Sequence, residues 1–263
     1  MTALAWSPVQ YARHAGARLR PAHDLLALVE LADAARAVDL GCGTGVVFPA
    51  LRARFPRARL IGVDRSPAML AEAAAADPAA VLIEADAAVW RPERRVDLIY
   101  SNAALQWVPH HAQLVPSLLS CCRTLAVQMP DNFASASQQL ILALAQEPPW
   151  QERLGGLRFG EHVLQAAGYH EMLTAAGARI DLWETTYYQY LTGADPVLDW
   201  LRGTTLLRVH ALLGGAGSEA TIAFESVLAE RLRDAYPPNA DGVTLFPFRR
   251  LFFVASGPDW TQA

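Results

Sequence analysis

The chain has 263 residues, a hydrophobic content of 52% and a formal net charge of −4, a composition that allows one large α/β domain and argues against a general nucleic-acid binder. All 22 basic residues are arginine, which excludes a lysine Schiff base to pyridoxal phosphate and a P-loop lysine. The three cysteines lack a metal-binding spacing, so no metal site is expected. The sequence has no signal-peptide pattern and no apolar run of about 18 residues, which favours a cytoplasmic protein with no membrane partner.

The first half of the chain alternates short apolar runs with segments of helical period. Helices are predicted between Trp6 and Ala35, with Pro21 in a first helical turn. Strands that alternate with helices at this spacing predict a parallel, doubly wound sheet with every strand's carboxyl end at one edge. The predicted strands are 37–40, 59–64, 81–86, 96–101 and 125–129, and the helices between them are 46–55, one opened by Ser66-Pro67, and 110–120.

The second half changes rhythm after a loop at 130–132. Late helical segments interrupted by a β-rich aromatic run suggest a lid over the sheet and not an independent domain. The predictions here are a helix at 160–176, the β-rich run at 179–191, a helix from Asp195-Pro196 to Leu206, a helix capped by Ser218 with Ala235 on its apolar face, and a final strand at 245–255.

Three alternating glycines, Gly41, Gly43 and Gly45, follow the first predicted strand directly. Glycine permits positive φ and lets a ligand approach the main chain, and the following helix start adds unpaired N–H groups. This pattern is weaker than the dinucleotide fingerprint, so by itself it fits either a nucleoside-cofactor loop or a merely tight βα turn.

Two carboxylates follow the next two strands and narrow the choice of ligand. Asp64 stands 19 residues after Gly45, where it could accept both ribose hydroxyls, and Asp86 could accept from an adenine amino group. Each is alternatively a solvated or capping aspartate. Acids favour a cation and not a pyrophosphate, so together with the glycines they point to the sulfonium of S-adenosylmethionine.

The cofactor segments resemble those of class I S-adenosylmethionine-dependent methyltransferases, and the chain more specifically resembles the trans-aconitate methyltransferase family. Cys42, between the glycines, is expected to be simply a small residue. The cofactor segments are 39–45, 62–69 and 84–86, and the further matching segments are 6–8 with Tyr11, 18–21, 101–109, 125–132, 183–187, 199–200 and 246–252. One connection, 118–124, is shorter than in such enzymes and has neither Gly nor Pro, which leaves either a trimmed helix or missing residues.

The resemblance implies a seven-stranded, mostly parallel Rossmann-like α/β sheet whose last strand is antiparallel. It divides the chain into a helical lid at 1–30, a cofactor-binding core at 31–130, and the remaining strands with an inserted helical substrate cap at 131–263. The implied reaction makes the monomethyl ester of trans-aconitate or a similar small polycarboxylate and releases S-adenosylhomocysteine. The implied cofactor-binding residues are Asp39, Gly41, Gly43, Gly45, Asp64, Arg65, Asp86, Ala87 and Asn102.

Methylation of an ionised carboxylate needs no general base, so no acid–base residue is expected. The enzyme must instead position the reactants and hold an anion with arginine and hydroxyl donors. Gln106 and Trp107 are the candidates for positioning near the methyl group. The candidate substrate-binding residues are Tyr11, Arg18, Arg20, Trp107, Asn132, Tyr187 and Arg250.

Ordinary structural roles compete with these assignments. The arginines could form ion pairs, Trp107 could be a core residue, and Tyr188 and Tyr190 could pack within the cap. His110 and His111 are expected to be solvated and not catalytic. Two other functions stay open, namely a methyltransferase with a neutral small-molecule or natural-product acceptor and a module that binds the cofactor without turnover. The sequence does not determine the oligomeric state, and a monomer is compatible with it.

Overall fold

A computed structural model describes residues 15–257, with side chains from residue 19 onward. The strands are β1 (Arg36–Leu40), β2 (Arg59–Asp64), β3 (Val81–Glu84), β4 (Val96–Asn102), β5 (Cys122–Pro130), β6 (Arg179–Leu191) and β7 (Thr244–Ser256). The helices are α1 (Ala15–Ala27), α2 (Phe48–Arg54), α3 (Pro67–Ala76), α4 (His111–Ser120), α5 (Ala136–Leu144), α6 (Gln151–Leu154), α7 (Ala166–Ala175), α8 (Pro196–Arg202), α9 (Leu206–Leu213) and α10 (Glu219–Ala235), with a 3₁₀ turn at Leu105–Trp107. Of the helices in residues 15–257, none combines the length and hydrophobicity needed to span a bilayer.

The strands form one seven-stranded sheet in the order β3-β2-β1-β4-β5-β7-β6. Strands β1 to β5 pair in parallel, and β7 runs antiparallel to β5. The carboxyl ends of β1 to β5 therefore lie at one edge, as a doubly wound sheet requires. The predicted α/β fold with an antiparallel last strand is confirmed.

The described residues divide into two compact units. The larger unit comprises Arg18–Pro130, Glu161–Thr185 and 250–257. Its core is built from the apolar residues of the central strands and of helices α4 and α7, which are buried almost completely. Because parallel strands are covered on both faces, their sequences are nearly continuous apolar runs, and this is why the strands were predictable.

The smaller unit comprises 15–17, Asp131–Gly160 and Thr186–Arg249. Its own apolar core is formed by helices α5, α8, α9 and α10. A buried polar cluster lies among them, in which Glu225 accepts hydrogen bonds from Arg202 at 2.7 and 3.0 Å and lies 2.7 Å from the His210 Nε2 atom. Although burial alone raises its pKa, the hydrogen bonds from His210 and Arg202 hold the pKa of Glu225 below its ordinary value.

Some predicted helix boundaries and faces are wrong. Helix α2 begins at Phe48 and not at Val46, because the glycine turn continues through Val47. Pro21 lies in the interior of α1 and not in a first turn. Ala235, expected on the apolar face of α10, is exposed.

Two longer predicted helices are interrupted in the structure. The segment 160–176 is helical only from Ala166 to Ala175. The segment from Asp195 to Leu206 forms parts of two helices, α8 and α9, which are separated at Gly203. By contrast, the predicted cap at Ser66 is confirmed, since its Oγ atom accepts the Met69 N–H at 3.4 Å.

The short connection at 118–124 is continuous and needs no glycine. Cys121 adopts φ −96° and ψ −5°, which non-glycine residues tolerate. Its N–H donates to the Leu118 carbonyl and its own carbonyl accepts the Val96 N–H, each at 3.0 Å. Helix α4 thus ends at Ser120 and β5 begins at Cys122, so Cys121 alone connects the two elements.

Candidate functional site

The glycine loop follows β1 and is held against β2. The N–H groups of Gly41 and Cys42 donate to the Val63 carbonyl at 2.7 and 3.0 Å. Gly41 has φ +80°, and a Cβ atom there would lie 2.2 Å from the Cβ atom of Ala104. Only glycine fits this position, because any side chain would overlap the methyl group of Ala104, which follows β4. The contact brings the loop beside the end of β4.

Gly43, at the tip of the loop, faces open space. It has φ +54°, and no atom of the described residues lies within 4 Å of the position that a Cβ atom would take. Its N–H donates to the Asp64 Oδ2 atom at 2.9 Å. The loop therefore presents bare main chain to a space that a ligand could enter, which a merely tight βα turn would not require.

Asp39 is a buried carboxylate directly before the loop. It is 2% exposed, and its Oδ2 atom has no hydrogen-bond partner among the described residues. Burial, and secondarily the charge of Asp64, raise the pKa of Asp39 from its ordinary value of 3.8 to about 7. A cation beside Oδ2 would stabilise the ionised form, so the site fits the ammonium group of S-adenosylmethionine.

Asp64 is fixed at the end of β2 by two backbone groups. Its Oδ2 atom accepts from Gly43 and its Oδ1 atom accepts from Ser66, both at 2.9 Å. A carboxylate oxygen can accept more than one hydrogen bond, so the predicted role toward ribose hydroxyls is compatible with this geometry. The bond to Gly43 was not predicted, and it means that Asp64 also holds the loop.

The residues after β3 lie beside Asp64. The Ala85 N–H donates to the Asp64 carbonyl at 3.0 Å, and the exposed Asp86 carboxylate accepts the Ala88 N–H at 2.8 Å. Arg65 is exposed and Ala87 is half-buried. The structure thus brings Asp64 into direct contact with the glycine loop that follows Asp39, and Asp86 lies two residues beyond the pairing of β2 with β3.

The end of β4 carries the predicted positioning residues. The Asn102 Oδ1 atom is buried without a partner among the described residues, and Ala103 has φ +53°. The Gln106 Nε2 atom donates to the Ala103 carbonyl at 2.7 Å. Trp107 is 47% exposed, so the competing core role for this residue is wrong.

His111 was expected to be solvated, and this expectation is wrong. The side chain is buried, and its Nε2 atom lies 2.9 Å from the Leu105 carbonyl, to which it donates. Its Nδ1 atom then accepts from the Tyr169 hydroxyl. Burial lowers the pKa of His111, so the neutral ring anchors the turn that carries Gln106. No local pattern distinguished it from His110, which is exposed.

Arg250 is one of the predicted substrate-binding residues in the larger unit. It is 7% exposed, and its Nη1 atom donates to the Gln128 Oε1 atom at 3.1 Å. Gln128 lies on β5, and the sequence reasoning missed it. Its position could have indicated a binding role, because Gln128 lies near the carboxyl end of a strand, just before the loop that contains Asn132.

The other predicted substrate residues have different surroundings. In the smaller unit Asn132 and Tyr187 are buried, but Tyr188 and Tyr190 are exposed, so the alternative in which these two tyrosines pack within the cap is wrong. In the larger unit Arg20 is exposed and lies 3.9 Å from Asp24. Tyr11 and the side chain of Arg18 lie outside the described residues.

Comparisons with known proteins find relatives that cover nearly the whole chain. A family model described as a methyltransferase domain matches residues 37–126. A trans-aconitate 2-methyltransferase of Streptomyces avermitilis is 49% identical over 262 residues, covering 95% of this chain and 96% of the relative. Another, of Streptomyces coelicolor, is 47% identical over 98% of this chain and 88% of the relative. Among solved structures, the YcgJ protein of Bacillus subtilis shares the fold at a TM-score of 0.55 and 14% identity, covering 94% of this chain and 99% of that one.

Proposed function

Because the chain belongs to the trans-aconitate 2-methyltransferase family, we propose that it is an S-adenosylmethionine-dependent enzyme that converts trans-aconitate into a monomethyl ester. The observation that carries this proposal is the similarity to the curated relatives along nearly their whole length. The protein would act on this small molecule in the cytoplasm, where the thiols of Cys42, Cys121 and Cys122 would stay reduced.

The cofactor would bind at the glycine loop. When bound, S-adenosylmethionine supplies a methyl group that is activated by the sulfonium and leaves behind the neutral thioether S-adenosylhomocysteine. The Asp39 carboxylate would accept from its ammonium group, and Asp64 from its ribose hydroxyls. The unpartnered Asp39 Oδ2 atom and the open space at Gly43 support these assignments. Arg65, Asp86, Ala87 and Asn102 stay proposed contacts around the same ligand.

The acceptor would be held chiefly by Arg250. Its burial supports this role, because a charge-assisted hydrogen bond between a guanidinium and a carboxylate is stronger in a low-dielectric interior than in water. The carboxylate needs no base, since it is ionised near neutral pH. What the chain contributes is alignment of oxygen with the methyl group and exclusion of water, a positioning effect worth up to about 7–11 kcal/mol.

Gln106 and Trp107 would limit where the acceptor can lie. The hydrogen bond from Gln106 to Ala103 and the anchoring of Leu105 by His111 make this turn rigid. Rigid placement of the groups beside the reacting atoms is what in-line transfer requires. Asn132 and Tyr187 stay proposed hydrogen-bond donors to substrate.

Labelled S-adenosylmethionine tests the proposal directly. We expect the purified protein to transfer label to trans-aconitate, with a product mass that corresponds to one added methyl group. A panel of cis-aconitate, citrate and a neutral hydroxyl acceptor measures selectivity. Labelling of the neutral acceptor with none of trans-aconitate would refute the proposal and favour the neutral-acceptor alternative.

A further inference from the structure

We infer that Gln128 is a substrate-binding residue that donates its amide N–H to the acceptor carboxylate that Arg250 also binds. This inference rests on the proposed function and adds a specificity residue to it. Gln128 has no role in the cofactor motifs, and its side chain is 0% exposed.

Strand register brings Gln128 into line with the proposed binding groups. It lies opposite Asn102 of β4 and opposite Phe252 of β7. Arg250 is two residues from Phe252 along β7, so its side chain is on the same face of the sheet as that of Gln128. Gln128 thus occupies the carboxyl end of β5, between the end of β4 and the buried arginine.

The bond to Arg250 determines which way the amide points. A guanidinium has only donors, so the oxygen of Gln128 must face Arg250, and their atoms are 3.1 Å apart. The Nε2 atom must therefore point elsewhere. It is buried, and no acceptor faces it among the described residues.

A buried N–H₂ group without an acceptor needs an explanation, because nearly all buried polar side chains are paired. On the β7 side the residue at the register position is Phe252, whose side chain has no hydrogen-bond acceptor and stacks on Trp183 with a centroid distance of 4.9 Å. An acceptor atom from a ligand would supply the missing partner.

The adjacent guanidinium identifies the chemistry of that ligand. An anion next to Arg250 is favoured, and a carboxylate has two oxygens in one plane that can accept from two donors at once. Gln128 would donate to a carboxylate oxygen while its own oxygen keeps the guanidinium oriented. A neutral acceptor molecule would satisfy the amide but not the charge.

The closest competing explanation is a pair within the protein. The Asn102 Oδ1 atom is also buried without a partner, and a rotation of both side chains could let Gln128 donate to it. In that case Gln128 would contribute to stability and not to substrate affinity. Binding measurements separate the two possibilities.

The test compares Gln128→Met, which removes both polar atoms, with Gln128→Glu, which keeps an oxygen for Arg250 but replaces the donor by an anion. Gln113→Met and Gln113→Glu at an exposed position of α4 are matched controls. Calorimetry measures the Kd of S-adenosylhomocysteine, and then the Kd of trans-aconitate for the protein saturated with S-adenosylhomocysteine. Steady-state assays give KM and kcat.

We expect the trans-aconitate Kd and KM to rise about 10-fold in Gln128→Met and about 100-fold in Gln128→Glu, with the S-adenosylhomocysteine Kd changed less than about twofold. An unchanged trans-aconitate Kd with lower thermal stability would overturn the inference in favour of the internal pair. A change confined to S-adenosylhomocysteine binding would overturn it in favour of a cofactor role. If the wild type neither binds nor methylates trans-aconitate, the proposed function fails with the inference, a result distinct from failure in the variants alone.

Discussion

Replacing Asp39 with Asn should make the protein without cofactor more stable and its cofactor binding weaker. Asp39 is 2% exposed and its Oδ2 atom lacks a partner among the described residues, so its charge is costly in the folded chain. The side chains of Asn and Asp have nearly the same shape, so the substitution mainly removes that charge.

The pKa of Asp39 sets the size and sign of this effect. Its carboxyl ionises at 3.8 ordinarily and at about 7 in the folded chain. Between these values only the folded chain keeps the proton, so this residue lowers the free energy of unfolding as pH rises, and the loss is complete above about pH 7. The full penalty is about 4 kcal/mol, and about 3 kcal/mol of it develops between pH 5 and pH 8.

Urea denaturation without ligand at pH 5 and pH 8 measures the effect. The stability of Asp39→Asn relative to wild type should increase by about 3 kcal/mol between the two pH values. Asp181→Asn, at an exposed position, is the control for removing a carboxylate and should show little pH-dependent change.

Cofactor affinity should change in the opposite direction. Loss of a charge-assisted hydrogen bond should raise the Kd of S-adenosylmethionine about 10- to 100-fold at pH 8. Wild-type affinity should also weaken as pH falls below about 7, where Asp39 takes up its proton, and the variant should lack this dependence. Equal stability differences at both pH values, or unchanged affinity in the variant, would refute the reasoning about Asp39.

Three further predictions follow from the described contacts. Gly41→Ala should lower the free energy of unfolding by more than about 2 kcal/mol, because it combines a strained backbone with an overlap. Gly43→Ala should lower it by only about 1 kcal/mol, but its side chain should block the open space that the cofactor would enter. Urea titrations measure the first effect, and the Kd of the cofactor measures the second. Arg250→Ala should raise the trans-aconitate KM at least about 10-fold, while the exposed Arg94→Ala should not; equal KM values would indicate a structural arginine. Glu225→Gln should lower the free energy of unfolding by about 3 kcal/mol at pH 7 without changing cofactor affinity. The difference should shrink as pH falls below about 4.5, because the unfolded chain takes up its proton first and the folded chain, in which the pKa of Glu225 is lower, takes it up at lower pH; a constant difference in urea titrations would contradict this.

The elements that the sequence predicted well are those whose stability is local or whose burial is uniform. Strand β2 begins and ends where predicted, because a strand covered on both faces is an apolar run. The cap at Ser66 is likewise a short-range interaction. The interruption at Gly203 was missed because an apolar periodicity can continue across two helices that pack on the same core.

Side-chain environments depended on distant segments and could not be predicted in the same way. His110 and His111 are neighbours, yet only His111 is buried, since Tyr169 and Leu105 enclose it. In the sequence Gln128 looks like an ordinary strand residue, and only the fold shows that β7 places Arg250 beside it. The contacts with Tyr169 and Arg250 join residues that are 58 and 122 positions apart, so no local pattern records them.

The sequence by itself determined the α/β fold class, the glycine loop with its carboxylates, and the family. These features depend on local periodicity and on motifs of fixed spacing. Only the tertiary structure decided which polar groups lose their water. Within residues 15–257, Asp39 has a pKa of about 7 and one oxygen without a hydrogen-bond partner, and the Gln128 Nε2 atom is a donor without an acceptor. Desolvation depends on everything that surrounds a side chain, and the fold alone brings those surroundings together.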